Sequence, residues 1–460
     1  MNQNHTGKPK QDMGKDSVGK LLAQLAIPAV VAQIVNLLYN IVDRIFIGHI
    51  PEIGANALTG AGLFMPILML INAFAMLAGA GGAPRAAIAM GQKDHERAEK
   101  IMGNCFTVLL IFAVVLTVVF YAAAPALLTL FGASEVTLPY ALDYARIYIL
   151  GSVFVLIVMG MNTFITTQGF AKISMMTTVI GAVINIALDP ILIFVLDLGV
   201  KGAALATVLS QAVGAMWILR FLTGKKSTLR LKAENMKLKL PIIGPCLALG
   251  ISTFVMLSTE SLLSMSFTSS LAKYGGDLAV GAMTIINSCS HLVTMPLSGI
   301  SQGAQPIISY NFGAGLTERV KKTFRLQLVI CLGYAILFWA MLMAFPTVFA
   351  SIFNNDPALV EYTGWAMRIY MAGIFALGAQ LVCQQSFMAL GQAKVSLLLA
   401  CLRKVILLIP LIFLLPLFFE NKVFAVFLAE PVSDIVAAVA TVTVFLLQFK
   451  KILANGPAKK

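Results

Sequence analysis

Charge is what this chain lacks most. Lys, Arg, Asp and Glu make up 12% of its 460 residues, about half the share of an ordinary soluble domain. Hydrophobic residues make up 59%, and mean hydropathy is +0.89. A water-facing surface cannot be built from that composition, which excludes a soluble enzyme or binding module. The six cysteines, Cys105, Cys246, Cys289, Cys331, Cys383 and Cys401, show no C-x-x-C spacing. They imply neither a zinc site nor a disulfide framework, only small buried hydrophobes. No H-E-x-x-H, G-x-S-x-G or Walker sequence occurs, so neither ATP hydrolysis nor intramembrane catalysis has a visible site. The glycines at 79, 81 and 82 lack the G-K-[ST] ending of a phosphate loop and read as helix packing. The chain is read as a non-enzyme with no cofactor.

What is present is apolar sequence in long runs. A helix needs about 20 apolar residues to cross a bilayer, and about twelve such runs follow one another between residues 18 and 448. The reading is an all-α polytopic membrane protein of twelve transmembrane helices. The net charge of +13 does not signal nucleic acid, because the basic residues are dispersed between apolar runs. Most of them fall in alternate loops: Lys8, Lys10, Lys15 and Lys20, then Arg85 to Lys100, then the central loop, then Arg319 to Arg325, and finally Lys459 and Lys460. That is the positive-inside pattern. It predicts a multi-pass protein of the plasma (inner) membrane with both termini cytoplasmic, the bilayer as its surroundings, and a monomer.

Residues 223–240 form the one long, charged stretch between spans, and the halves on either side of it repeat. Arg146, Tyr148 and Gly151 recur as Arg368, Tyr370 and Gly373, a step of 222 residues. The same step carries Gly54 to Gly276, Gly81 to Gly303, Pro84 to Pro306, Phe131 to Phe353 and Lys172 to Lys394. Six spans per repeat make the repeats parallel, related by a pseudo-twofold axis along the membrane normal. The expected domains are a cytoplasmic tail (1–17), an N-lobe (18–222), an inter-lobe loop (223–240), a C-lobe (241–450) and a second tail (451–460).

Function is sought where the halves disagree. Asp189 lies in the apolar run 175–196, where an ionised acid costs roughly 2.5–3.5 kcal/mol. Asn185 precedes it by four residues and shares its helix face, and Pro190 loosens the backbone beside it. In the first span Asn36, Asn40 and Asp43 recur on one face with Tyr39 beside them, and that face is expected to meet Asn185 and Asp189. The repeat places Met265 and Leu411 where the acids would be, so these acids belong to the N-lobe alone. Asp43 next to Arg44 has a competing reading as a headgroup ion pair. Asn162 and Thr207 are candidate oxygen donors, with bonding across helices as the alternative. Glu260 reads as the one acid deep in the C-lobe, a second candidate for cation or substrate charge. Arg146 and Arg368, placed alike in both lobes, read as structural, and His291 as a core histidine. Met65 and Met283, with other methionines, suit a pliable substrate cavity. Pro28 is a bend point in the first span.

Tyr39-Asn40 with Asp43 and Gly48, the element from Asn185 to Pro190, and Gly202-Ala203-Ala204 with Thr207 resemble the multidrug and toxic compound extrusion (MATE) family. The resemblance runs over the whole chain and is greatest to the MepA-like bacterial branch. It implies cation-driven drug export, with H⁺ or Na⁺ as the coupling ion and small amphipathic drugs, mostly organic cations, as substrates. It also implies cation binding at Asp43, Asp189, Asn185, Asn162 and Thr207. A flippase for a lipid-linked saccharide or peptidoglycan precursor is the alternative. It would need a strongly basic cavity, of which Arg146 and Arg368 are the only hint.

Overall fold

The computed structural model describes residues 12–354 and 356–456. Lys8, Lys10, Lys459 and Lys460 lie outside them. Among the described residues there is helix and no strand, as the uninterrupted apolar runs require: within a bilayer a backbone must satisfy its own polar groups.

Among the described residues ten helices are long and apolar enough to cross a membrane, and a bent pair, Leu138–Leu150 with Ser152–Thr167, turning by 55°, adds an eleventh. One of the ten is Leu240–Gly313, 74 residues long, which at 1.5 Å per residue would extend about 110 Å. It turns at Gly276, whose φ of 65° and ψ of −161° leave the helical region. A residue without a Cβ is suited to that conformation. Two spans meet there, so the described residues make twelve. In order they are Val18–Gly48, Gly54–Gly91, His95–Leu130, the bent pair, Ala171–Val195, Gly199–Thr223, 240–275, 277–313, Thr317–Ala344, Pro357–Ala389, Ala393–Leu417 and Lys422–Asn455.

Two large apolar cores form, one mainly from the first half but joined by Ile243 and Cys246 of the seventh span, and one from the second half. They meet through a close-packed seam on the side where the chain's ends lie. There Gly91 faces the Tyr310 carbonyl and Gly313 faces the Ile88 carbonyl; a Cβ on either would stand 2.0 or 2.1 Å from that oxygen. Tyr310 and Gly313 are Ile88 and Gly91 carried forward by 222 residues, so the two contacts exchange under the pseudo-twofold axis. Gly303 lies against Ala26 and Gly299 against Val30, while Gly81 and Gly250 join the second and seventh spans. All these contacts fall in the terminus-side halves of their helices. Beyond Pro28 no residue of the first span is buried until Ile47. The lobes are thus closed at the terminus side and apart at the other.

The terminus side carries two further ties. Arg319 donates to the carbonyls of Met13 (2.8 Å) and Asp16 (2.7 Å), and Asn311 also donates to Met13 (3.0 Å). This fastens the chain before the first span onto the C-lobe. The inter-lobe loop is pinned to the N-lobe. Gln168 accepts from Ser227 (2.9 Å) and from the Leu229 backbone (2.8 Å), and Lys232 pairs with Glu99 at 2.8 Å. The last helix runs on to Asn455 rather than ending at 450.

Candidate functional site

The fifth span is α-helical to Pro190 and then takes one π turn, Ile191–Val195. Pro190 has no N–H to offer the helix, and the widened turn follows it, as such turns do near functional groups. Asn185 and Asp189, one turn apart just before it, are both 0% exposed. The Asn185 amide nitrogen donates to Asp189 Oδ1 and to Thr207 Oγ1, both at 3.4 Å. Thr207 donates in turn to the Ala203 carbonyl at 3.1 Å. The fifth and sixth spans are therefore joined by a polar ladder inside an apolar core.

Asp43 approaches this ladder from the first span, near enough for its charge to act on Asp189. The headgroup-pair reading of Asp43 is not what forms. Arg44 reaches instead for Met65 Sδ at 3.6 Å on the exposed side. Three buried acceptors at the cluster have no donor among the described residues: Asp43 Oδ1, Asn185 Oδ1 and Asp189 Oδ2. Leaving a buried acceptor unmatched costs about 1–3 kcal/mol. Three in one place describe a site built for something that brings positive charge or protons.

Two further groups complete the wall, and the sequence reading missed both. Tyr144 and Tyr148 of the bent fourth span stack on each other at 6.1 Å and close around Phe64. Both phenols are buried near Asp43, and Tyr144 lies near Thr207. A signal was available, because the repeat replaces Tyr144 with Ala366, an asymmetry like those of the two acids. Tyr39 stands with Asp43 and Asn40, and Asn40 donates to the Asn36 carbonyl at 2.6 Å.

Other expected members lie elsewhere. Asn162 donates to the Ser174 carbonyl (3.2 Å) and accepts from Thr177 (3.4 Å). Thr177 is eight residues before Asn185, about 12 Å along the helix, so the geometry gives Asn162 to helix packing and not to the acid cluster. Met283 is 5% exposed within the C-lobe core. There the flexible thioether fills a packing gap, and it does not line a cavity. His291 is exposed rather than in the core. Arg146 and Arg368 are also exposed, Arg146 standing 5.9 Å over the Tyr121 ring.

The description of Glu260 as the only deep acid of the C-lobe is corrected. Glu430 and Asp434, one turn apart on the twelfth span, both hold Arg403 of the eleventh. Arg403 Nε donates to Asp434 at 2.8 Å and Nη2 to Glu430 at 3.2 Å. Next to Arg403, Lys404 pairs with Glu260. These five charges sit inside apolar runs. Each acid meets its base only across helices, which reading along one helix cannot reveal. The lobes differ in kind: the N-lobe holds two acids without a counter-charge, and the C-lobe holds three acids with two bases.

The MatE family model matches residues 28–191 and again 252–414, once in each half. Among relatives, the multidrug export protein MepA of Staphylococcus haemolyticus is 25% identical over 426 residues, covering 92% of this chain and 93% of its own. MepA of Staphylococcus aureus strain N315 is 23% identical over 439 residues, 94% of this chain and 95% of its own. Among solved structures, the outward-facing conformation of a multidrug resistance MATE family transporter superposes with a TM-score of 0.89 at 23% identity, covering 98% of this chain and 99% of that one. A MATE structure in the bent conformation gives 0.90 at 22% identity, covering 96% and 98%.

Proposed function

Since the chain belongs to the MatE family, we propose that it is a multidrug efflux transporter, driven by inward movement of H⁺ or Na⁺ and exporting amphipathic, mostly cationic compounds. The observation that carries this reading is the set of three unmatched acceptors on Asp43, Asn185 and Asp189. Two carboxylates that face each other without a base repel, and a bound cation or proton removes that repulsion. Oxygen ligands from carboxylate, amide and hydroxyl suit Na⁺. The same groups suit a shared proton, so the coupling ion is left between the two.

The terminus side, with its basic loops, faces the cytoplasm in this reading. The described state is then closed to the cytoplasm and open outward. The acids load from outside, which changes how the first span packs on the fifth and sixth. Pro28 is placed to let that happen. Gly303 holds the first span at Ala26, before Pro28, and Gly299 holds it at Val30, just after; from there to Phe46 no residue of the helix is buried. Release of the drug outward and rocking of the lobes then expose the acids to the cytoplasm, where the ion leaves. Each charge carried inward is worth about 2.3 kcal/mol per 100 mV. The regenerated acids favour the next organic cation. A flippase calls for a basic cavity, whereas the N-lobe cluster presents acids with unmatched oxygens.

The test is efflux of a fluorescent organic cation from proteoliposomes, with a Na⁺ gradient and a pH gradient imposed separately. Efflux under one gradient and none without a gradient supports the reading. No efflux under either, in protein that retains its fold, overturns it.

A further inference from the structure

The C-lobe network contains a feature that efflux driven from the N-lobe does not use. Lys404 rises from a stretch of π-helix, Leu402–Leu408, in the eleventh span. Its side chain is 10% exposed, and its ammonium group donates to the Met256 carbonyl at 3.0 Å and pairs with Glu260 of the seventh span. The Glu260 side chain is 53% exposed. A half-exposed carboxylate at membrane depth must face water and not acyl chains, so it looks into the opening between the lobes. Glu260 lies ten residues beyond Gly250, the inter-lobe contact on its helix, about 15 Å along the axis.

Behind Lys404 is a small cavity of about 20 Å³ lined by Met256, Leu377, Gln380, Gln384, Arg403 and Lys404 itself. Room for one water-sized group needs about 10–15 Å³ by the same measure. Gln380 is 2% exposed, and both its amide oxygen and its amide nitrogen lack partners. A buried carbonyl oxygen without a donor therefore lines the same small space as an ammonium that is occupied elsewhere. Arg403 adds no free charge to it, being held by Glu430 and Asp434. The ammonium fits the space, and Gln380 Oε1 would accept its hydrogen bond.

We propose that Lys404 is a two-position switch in a C-lobe site for the charged end of an organic cation. At rest the tethered ammonium occupies Glu260. An incoming organic cation takes the carboxylate, and Lys404 turns into the cavity and donates to Gln380 while keeping the Met256 carbonyl. The internal cation sets a threshold, so that only a ligand able to displace it is bound. This inference rests on the proposed transport of organic cations for its ligand class, and its test is made on binding alone.

The experiment measures equilibrium binding of tetraphenylphosphonium to the purified full-length protein. Lys404→Met removes the competitor and tightens binding by about tenfold, the worth of one charge-assisted hydrogen bond. Gln380→Met removes the receiving oxygen and weakens binding by about tenfold. In the double variant Gln380→Met has no further effect, because no lysine needs the oxygen. Unchanged or weaker binding in Lys404→Met overturns the switch, as does an equal effect of Gln380→Met in both backgrounds. If Lys404→Met does not fold, Glu260→Gln takes its place, since it leaves Lys404 resting on Gln380. Gln380→Met then lowers Tm more in that background than in the parent, and equal lowering overturns the proposal. The binding pattern without liposome transport would remove the efflux reading and leave the switch standing. Transport without the pattern would do the reverse.

Discussion

Asp43 of the first span and Asp189 of the fifth lie near each other with no ion pair to either among the described residues, and each keeps one buried oxygen without a donor. Asn185 donates to Asp189 at 3.4 Å and is itself anchored on Thr207 at 3.4 Å. Asp43 has no such support, and so it is the more movable of the pair.

Asp43→Asn and Asp189→Asn each remove one negative charge and should abolish coupled efflux of a fluorescent cation while leaving expression normal. Thr207→Ala removes only one hydrogen-bonding partner, worth about 1 kcal/mol. It should slow efflux several-fold without abolishing it. Full efflux by either Asn variant would remove that acid from the mechanism.

Closure at the terminus side depends on the absence of side chains at Gly91 and Gly313. A Cβ there would stand 2.0 or 2.1 Å from a backbone oxygen that cannot yield. Gly91→Leu and Gly313→Leu should each hold the seam apart and stop transport. Labelling of a cysteine placed near Ile88 by a membrane-impermeant reagent in inside-out vesicles should rise in both. Unchanged labelling would show that the seam is not the gate.

Cys105 of the third span and Cys246 of the seventh are both buried in one apolar core across the lobe boundary. An oxidant or a short bifunctional thiol reagent should link them and hold the terminus side shut. Transport should be lost and then restored by reductant in the oxidised case, with Cys105→Ser immune to treatment. Transport that continues in fully cross-linked protein would mean that this boundary stays closed through the cycle.

Arg319 ties Met13 and Asp16 to the C-lobe with bonds of 2.7 and 2.8 Å. Hydrogen bonds from a charged donor are worth about 1.5–3 kcal/mol. Arg319→Ala should weaken closure by about that much. Cysteine labelling at the terminus side is again the readout, and equal labelling in variant and parent would show that the tie contributes nothing to closure.

Much of the site was legible because a charge in an apolar run is conspicuous and a repeat supplies an internal control. Asp189 stood out against Leu411, and Pro190 foretold the loosened turn that follows it. The same control, applied to tyrosines, would have found Tyr144 against Ala366. Asn162 was misplaced because an amide at membrane depth looks alike in sequence whether it binds an ion or a neighbouring helix. Its depth along the fourth span, opposite Ser174 and Thr177, decided the matter.

The sequence by itself determined the number of spans, the duplication and the acids of the first and fifth helices. Each of these is a property of spacing along one chain: run length, a constant step, a residue type out of place. Only the tertiary structure decided which charges are neutralised. Arg403 meets Glu430 and Asp434, and Lys404 meets Glu260, while Asp43 and Asp189 meet only each other. Coulomb energy depends on distance through space, and pairing between helices far apart in sequence leaves no periodic trace in either one.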